Sequence, residues 1–257
     1  MSIPVVIPAY NEAEHLPRLI SALDRQTEPV EPIVVDNGST DLTADIARNL
    51  GATVLCEEES GQLRAIQKGL GHVVGHNMIL MTDADSEPGD QWAETMLMHS
   101  QGLQSPAMLT GTLDFFYPKT PSLQTLRFAR RIYIEHRARQ NTKCGRPLTM
   151  HGSNAALVNV DEQLNDSLLK LPNIGLNNDQ AIANEFLEVG GRLVRVTDKN
   201  ARVKTEGDRY PSMISAARYL IKGKEQAFLS EGSRFADLEV FDVQSVALDL
   251  TPTSTTS

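Results

Sequence analysis

The sequence predicts an α/β fold with a mostly parallel sheet covered by helices on both faces. Two observations carry this: short apolar runs alternate with amphipathic helical stretches through the first half, and polar or acidic clusters follow three of the runs. The opening run, Ile3-Pro-Val-Val-Ile-Pro, reads as a buried strand. Leu16, Leu19, Ile20 and Leu23 then share one helical face. Pro32-Ile-Val-Val is the second strand, and Ser39 or Thr40 is placed to cap a helix carrying Leu42, Ile46 and Leu50, which Gly51 ends. Ala52 to Cys56 is a third strand, Gly61 to Leu70 a third helix, and Met78-Ile-Leu-Met a fourth strand.

The second half is less regular, and its expected topology is mixed. Met108 to Leu113 reads as a strand and Ser122 to Asn141 as a long helix. Leu148 to Val158 reads as a strand interrupted by His151-Gly-Ser-Asn, and Asp179 to Val189 as a helix ended by Gly190-Gly191. Strands over Arg192 to Val196 and Ala201 to Lys204 follow, then a helix over Ser212 to Leu229 and a tail whose end is expected to be disordered.

Composition narrows the function. The 257 residues contain 40% hydrophobic residues, enough for a real core, and carry a net charge of -9. An acidic chain is a poor match for a nucleic-acid backbone, so no nucleic-acid partner is expected. Cys56 and Cys144 fit neither a disulfide scaffold nor a zinc motif. Ile3 to Ala9 is too short for a signal peptide and no run reaches bilayer length, so the expectation is a cytoplasmic protein, at most peripheral at the inner membrane face. One group departs from the acidic average: Arg127, Arg130, Arg131, Arg137, Arg139, Lys143 and Arg146, on and just after the 122–141 helix. A solvated helix face is the simpler account, and contact with an anionic acceptor or membrane surface the alternative.

In open parallel sheets, ligands bind where the strands end. Three such ends carry Ala9-Tyr10-Asn11-Glu12, Asp36-Asn37-Gly38-Ser39 and Asp83-Ala84-Asp85. Carboxylates gathered there suit a nucleotide and a divalent cation. Extended geometry would point Asp83 and Asp85 to one side, whereas a plain turn capping the next helix is the bland account.

The segments Val5-Val-Ile-Pro-Ala-Tyr-Asn-Glu, Val34-Val-Asp-Asn-Gly-Ser-Thr-Asp, Thr82-Asp-Ala-Asp, His151-Gly-Ser-Asn-Ala-Ala and Asn178-Asp179, in this order and spacing, resemble the family 2 glycosyltransferases. The resemblance runs from about Ile3 to Arg209. It implies a GT-A fold, a Rossmann-like mixed sheet flanked by helices, as a single domain over 1–232. Residues 1–115 would form the nucleotide-sugar-binding half and 116–232 the acceptor half, with 233–257 as the tail.

The same resemblance implies that Pro8, Tyr10, Glu12, Asp36 and Arg64 line the donor pocket, that Asp83 lies near the ribose, that Ala84 belongs to the same binding segment, and that Asp85 holds Mg2+ or Mn2+. Strand-end packing for Pro8 and Tyr10, a helix-dipole role for Glu12 and a solvated charge for Arg64 are the structural alternatives. His151, Gly152, Asn154 and Asn178 would shape the acceptor side. Asp179 would be the general base, with helix capping as its plain alternative. Asn178 departs from the family, which has a carboxylate there. Lys204, Thr205 and Arg209 lie where relatives carry a basic segment that closes on the diphosphate.

The expected activity is inverting transfer of one sugar from a nucleotide-diphosphate sugar, a UDP-sugar favoured, to a glycan, lipid or small-molecule hydroxyl. The Gln-x-x-Arg-Trp signature of processive synthases is missing, and the only tryptophan, Trp92, follows the Asp-x-Asp. Two alternatives are a non-catalytic nucleotide-sugar-binding regulator, suggested by Asn178, and a sugar nucleotidyltransferase. The latter should carry a Gly-rich N-terminal phosphate loop, which Pro4 to Asn11 lacks.

Overall fold

A computed structural model describes residues 2–115, 151–172 and 178–206. The first half is β1 (Ile3–Ala9), α1 (Leu16–Asp24), β2 (Val30–Asp36), α2 (Thr43–Asn49), β3 (Thr53–Cys56), α3 (Gln62–His72), β4 (Met78–Met81), β5 (Ser86–Pro88), α4 (Trp92–Ser100), β6 (Ala107–Thr110) and β7 (Leu113–Phe115). Beyond residue 150 come β8 (Ala155–Val158), α5 (Glu162–Leu169), α6 (Asn178–Glu188), β9 (Arg192–Arg195) and β10 (Val203–Thr205). The main sheet runs β3-β2-β1-β4-β8-β6-β9, and a small sheet runs β5-β10-β7.

Strands β3, β2, β1 and β4 are mutually parallel, as the alternation of strands and helices requires. Strand β8 is antiparallel to both β4 and β6, whereas β6 and β9 are parallel, so the second half is mixed as expected. Because of that reversal, the ends of β1, β2, β3, β4, β6 and β9 and the start of β8 share one edge. Met81 and Thr110 are both register partners of Ala155.

The strand period of two divides the core. Val5, Ile7 and Leu80 pack with Leu16, Leu19, Ile20 and Leu23 of α1 on one face. Val6, Ile79 and Met81 pack with Leu63, Ile66 and Leu70 of α3 and with Phe186 of α6 on the other. Each fully buried side chain of this kind contributes about 1.5–3 kcal/mol relative to exposure. Helix α3 lies so close to β1 that a Cβ at Gly69 would overlap the Val6 side chain, which explains a glycine inside a helix.

Several local expectations change. Helix α2 starts at Thr43 without a Ser39 or Thr40 cap, and Leu42 and Leu50 are exposed, leaving Thr43 and Ala47 as its buried residues. The 108–113 run breaks at Gly111 and Thr112 into β6 and β7, which join different sheets. Strand β8 begins only at Ala155, after a single 3-10 turn over Gly152–Asn154. Another 3-10 turn, Lys199–Ala201, displaces the last expected strand to β10. Helices α4 and α5 and strand β5 are additional elements. The basic 122–141 helix, the 212–229 helix, Arg209 and the 233–257 tail lie outside the described residues. No helix among the described residues is long and apolar enough to cross a membrane.

Candidate active site

The shared sheet edge is built from loops that tie one another down. After β1, Asn11 adopts a left-handed backbone with φ of 55°, which asparagine tolerates better than most residues. Its N–H donates to Ser39 Oγ at 2.9 Å, and its side-chain oxygen accepts from the Thr40 N–H at 2.8 Å. The Glu12 N–H donates to Thr43 Oγ1 at 2.8 Å. Asp41 accepts from the Thr43 N–H and hydroxyl and from the Ala13 N–H. Its carboxyl lies below its ordinary value: desolvation pushes it up, but these hydrogen bonds, led by the Thr43 hydroxyl, outweigh that effect.

Asn37 performs the same service for the third loop. Its amide donates to the carbonyls of Glu57 and Glu59, at 3.1 and 2.7 Å, and accepts from the Gly61 N–H at 2.7 Å. This holds the N-terminus of α3 at the rim. Asp36 is half-buried and accepts from the Ser39 N–H at 3.2 Å. Pro8 is half-buried, and Tyr10 is 58% exposed at the lip. The Glu12 carboxylate meets His15 Nδ1 at 2.6 Å, and Arg64 pairs with Glu59 at 3.1 Å. Both charges therefore already have protein partners.

The Asp-x-Asp segment is not extended. The Ser86 N–H bonds back to the Asp83 carbonyl at 3.1 Å, making a turn whose two carboxylates are held by different elements. Asp83 accepts from Gln62 Nε2 at 3.1 Å, at the start of α3. Asp85, only 6% exposed, accepts from Thr205 Oγ1 of β10 at 3.0 Å. The expectation of a common direction set by strand geometry is thus replaced by a turn braced from two sides, with Ala84 buried beneath it.

Strand parity settles the neighbours on β10: Val203 and Thr205 face inward, whereas Lys204 is exposed and sits in register with Glu87 and Asp114. Lys204 thus lines an open cleft of about 470 Å³ with those residues and Arg202, on the outer side of the small sheet. It does not face Asp85. Arg18, which the sequence does not mark, donates from one guanidinium nitrogen to the Asp85 carbonyl at 3.0 Å and from the other to Glu206 at 2.8 Å.

The acceptor-side segment joins the same edge. Thr82 Oγ1 donates to the Ser153 carbonyl at 3.0 Å, tying the end of β4 to the turn before β8. His151 is half-buried, and its N–H donates to Thr110 Oγ1. Asn154 is fully buried: it accepts from Trp92 Nε1 at 2.9 Å and donates to the Thr112 and Ala201 carbonyls at 3.1 and 2.8 Å. It shapes this side as a brace from below. Asp179 stands in the first turn of α6, where the positive end of the helix dipole favours an ionised carboxylate. Its carboxylate occupies the space that a Gly152 side chain would fill. Asn178 is buried, and its side-chain oxygen has no hydrogen-bond partner among the described residues.

A divalent cation fits the oxygen chemistry of this turn. No cluster of three or more His, Cys, Asp or Glu forms a closed metal cage among the described residues. An open site with one or two carboxylates, completed by phosphate and water oxygens, is the common arrangement for Mg2+. The Asp85 carboxylate takes one hydrogen bond, from Thr205, among the described residues.

The family model for glycosyl transferase family 2 matches residues 5–163, more than half of the chain. The chain belongs to that family. Among curated relatives, glycosyltransferase AglE of Haloferax volcanii is 32% identical over 125 residues, 45% of this chain and 40% of the relative. A 4,4'-diaponeurosporenoate glycosyltransferase of Staphylococcus haemolyticus is 37% identical over 110 residues, 40% of this chain and 29% of the relative. These matches therefore span less than half of either relative.

Two solved structures share the fold at low identity. A mannosyltransferase of Pyrobaculum calidifontis in complex with GDP-Man and Mn2+ has a TM-score of 0.63 at 19% identity, covering 93% of this chain and 65% of its own. Glucosyl-3-phosphoglycerate synthase of Mycobacterium tuberculosis, in complex with Mn2+, UDP and glucosyl-3-phosphoglycerate, has a TM-score of 0.55 at 18% identity, with coverages of 85% and 75%. The fold of this family 2 member is GT-A, as the sequence predicts.

Proposed function

We propose that the protein is an inverting, metal-dependent glycosyltransferase that moves one sugar from a nucleotide-diphosphate sugar, a UDP-sugar favoured, to a hydroxyl on a glycan, lipid or small molecule. The observation that carries this reading is the placement of the Asp83–Asp85 turn and of Asp179 on one rim of the sheet, bridged by Thr82, Ser153 and Gly152. In this reading the loops carrying Pro8, Tyr10, Glu12, Asp36 and Arg64 receive the nucleoside, with Asp83 by the ribose and the buried Ala84 only supporting the turn. Asp85 would hold Mg2+ or Mn2+ beside the diphosphate; the cation bound there offsets negative charge on the departing group.

Asp179 takes the proton from the acceptor hydroxyl as that oxygen attacks the anomeric carbon. The bond to the nucleoside diphosphate breaks on the opposite side and its electrons leave with the diphosphate, which inverts the configuration. His151, Gly152 and Asn178 border the acceptor, with Asn154 supporting them from the core.

The test pairs two variants. Asp179→Asn keeps size and capping capacity, so it should preserve nucleotide binding and lower transfer by about two to four orders of magnitude. Asp85→Ala should abolish the Mn2+ dependence of UDP binding seen by calorimetry. Near-parental transfer by Asp179→Asn, with chemistry limiting the rate, would remove Asp179 as the base.

A further inference from the structure

Asp85 is anchored at both ends of the residue. Its backbone carbonyl receives Arg18 at 3.0 Å and the Glu206 N–H at 3.4 Å, and Glu206 in turn pairs with Arg18 at 2.8 Å. Its side chain is held separately, by the Thr205 hydroxyl on Oδ1. Thr205 and Asp85 are 7% and 6% exposed, so little water competes for that hydrogen bond. An ionised carboxylate can only accept, which commits the hydroxyl proton to Oδ1. No other hydrogen bond reaches the carboxylate among the described residues.

We infer that Thr205 is a positioning residue for the metal site: it fixes one oxygen of Asp85 so that the other is presented to a divalent cation, on a turn clamped by the Arg18–Glu206 pair. The inference rests on the donor-site reading above. The physical reason is that a carboxylate free to rotate must lose that freedom on binding the ion, whereas one already held has lost it. Hydrogen bonds to metal-binding carboxylates typically change metal affinity by about 10–100-fold when removed. The small sheet acquires a purpose in this scheme. Its central strand, β10, brings a residue 120 positions away in sequence to the Asp-x-Asp turn.

The experiment follows Mn2+ binding to the whole chain by the electron paramagnetic resonance signal of the free ion, with UDP and, in a parallel arm, GDP. Nucleotide binding is also measured in EDTA. Thr205→Val should weaken Mn2+ binding by about 10–100-fold, while Thr205→Ser, which keeps the hydroxyl, restores most of it. Nucleotide binding in EDTA should be alike in all three proteins, which a packing defect would not allow. Parental Mn2+ affinity in Thr205→Val overturns the role of Thr205 and leaves the donor-site reading standing. Equal losses in the Val and Ser variants also overturn it. A parent that shows no Mn2+-dependent nucleotide binding removes the donor-site reading and this inference together. Should Thr205→Val not fold, Thr205→Ala takes its place in the same comparison.

Discussion

Gly152 and Asp179 share one volume: the carboxylate of Asp179 lies where any side chain at position 152 would begin. Gly152→Ala should therefore leave the core intact and displace that carboxylate, because the end of an aspartate moves more easily than backbone. A displacement of about 1 Å at a reacting group costs on the order of 100-fold in rate. Turnover measured by nucleoside diphosphate release should fall by that order, with an unchanged melting temperature. Parental turnover would show that the position of Asp179 is not critical.

Asn154 is expected to be a stability residue. Its replacement by alanine would leave the buried Trp92 indole N–H and the Ala201 carbonyl without this partner, whereas the Thr112 carbonyl keeps the Val203 N–H. The expected loss is about 2–4 kcal/mol, since each orphaned buried group costs roughly 1–3 kcal/mol and the effects overlap. Urea unfolding should show it as a lower midpoint. An undisturbed midpoint would mean that the surroundings relax to repair those bonds.

Asp41 gives a pH signature. Its carboxyl is lowered in the folded protein, so its contribution to stability is fully present above the ordinary aspartate range and is lost as pH falls through the lowered value. Asp41→Ala should melt below the parent at neutral pH, and the two curves should converge in acid below that range. A gap that stays constant into strong acid would mean that ionisation of Asp41 does not support the loop.

Much of the first half was legible because short strands and one-sided helices leave their period in the sequence. Leu16, Leu19, Ile20 and Leu23 are all buried, as their spacing predicts. The Asp-x-Asp was legible as a motif and a turn was the plain alternative to extended geometry, but the partners on α3 and β10 that brace the turn were not legible. Nothing in the sequence marks Arg18; only the tertiary fold brings it to the Asp85 carbonyl. Thr205 was legible only together with Lys204 and Arg209, as part of one segment, and Lys204 and Thr205 became distinguishable once the strand's inward face was known. In α2 the apolar spacing misled, because Leu42 and Leu50 fall outside the helix and face water.

The reversal at β8 has a consequence for how the sheet is specified. Strand β7 ends at Phe115, in register with Thr205, and the chain is back at the same rim by His151, which bonds to Thr110. The described chain thus leaves and re-enters at one rim, at positions 115 and 151. Because exit and return meet at this rim, the pairing of β6 with β8 is specified locally, by Ala107–Thr110 against Ala155–Val158, and does not lean on the order of the parallel strands beyond β4.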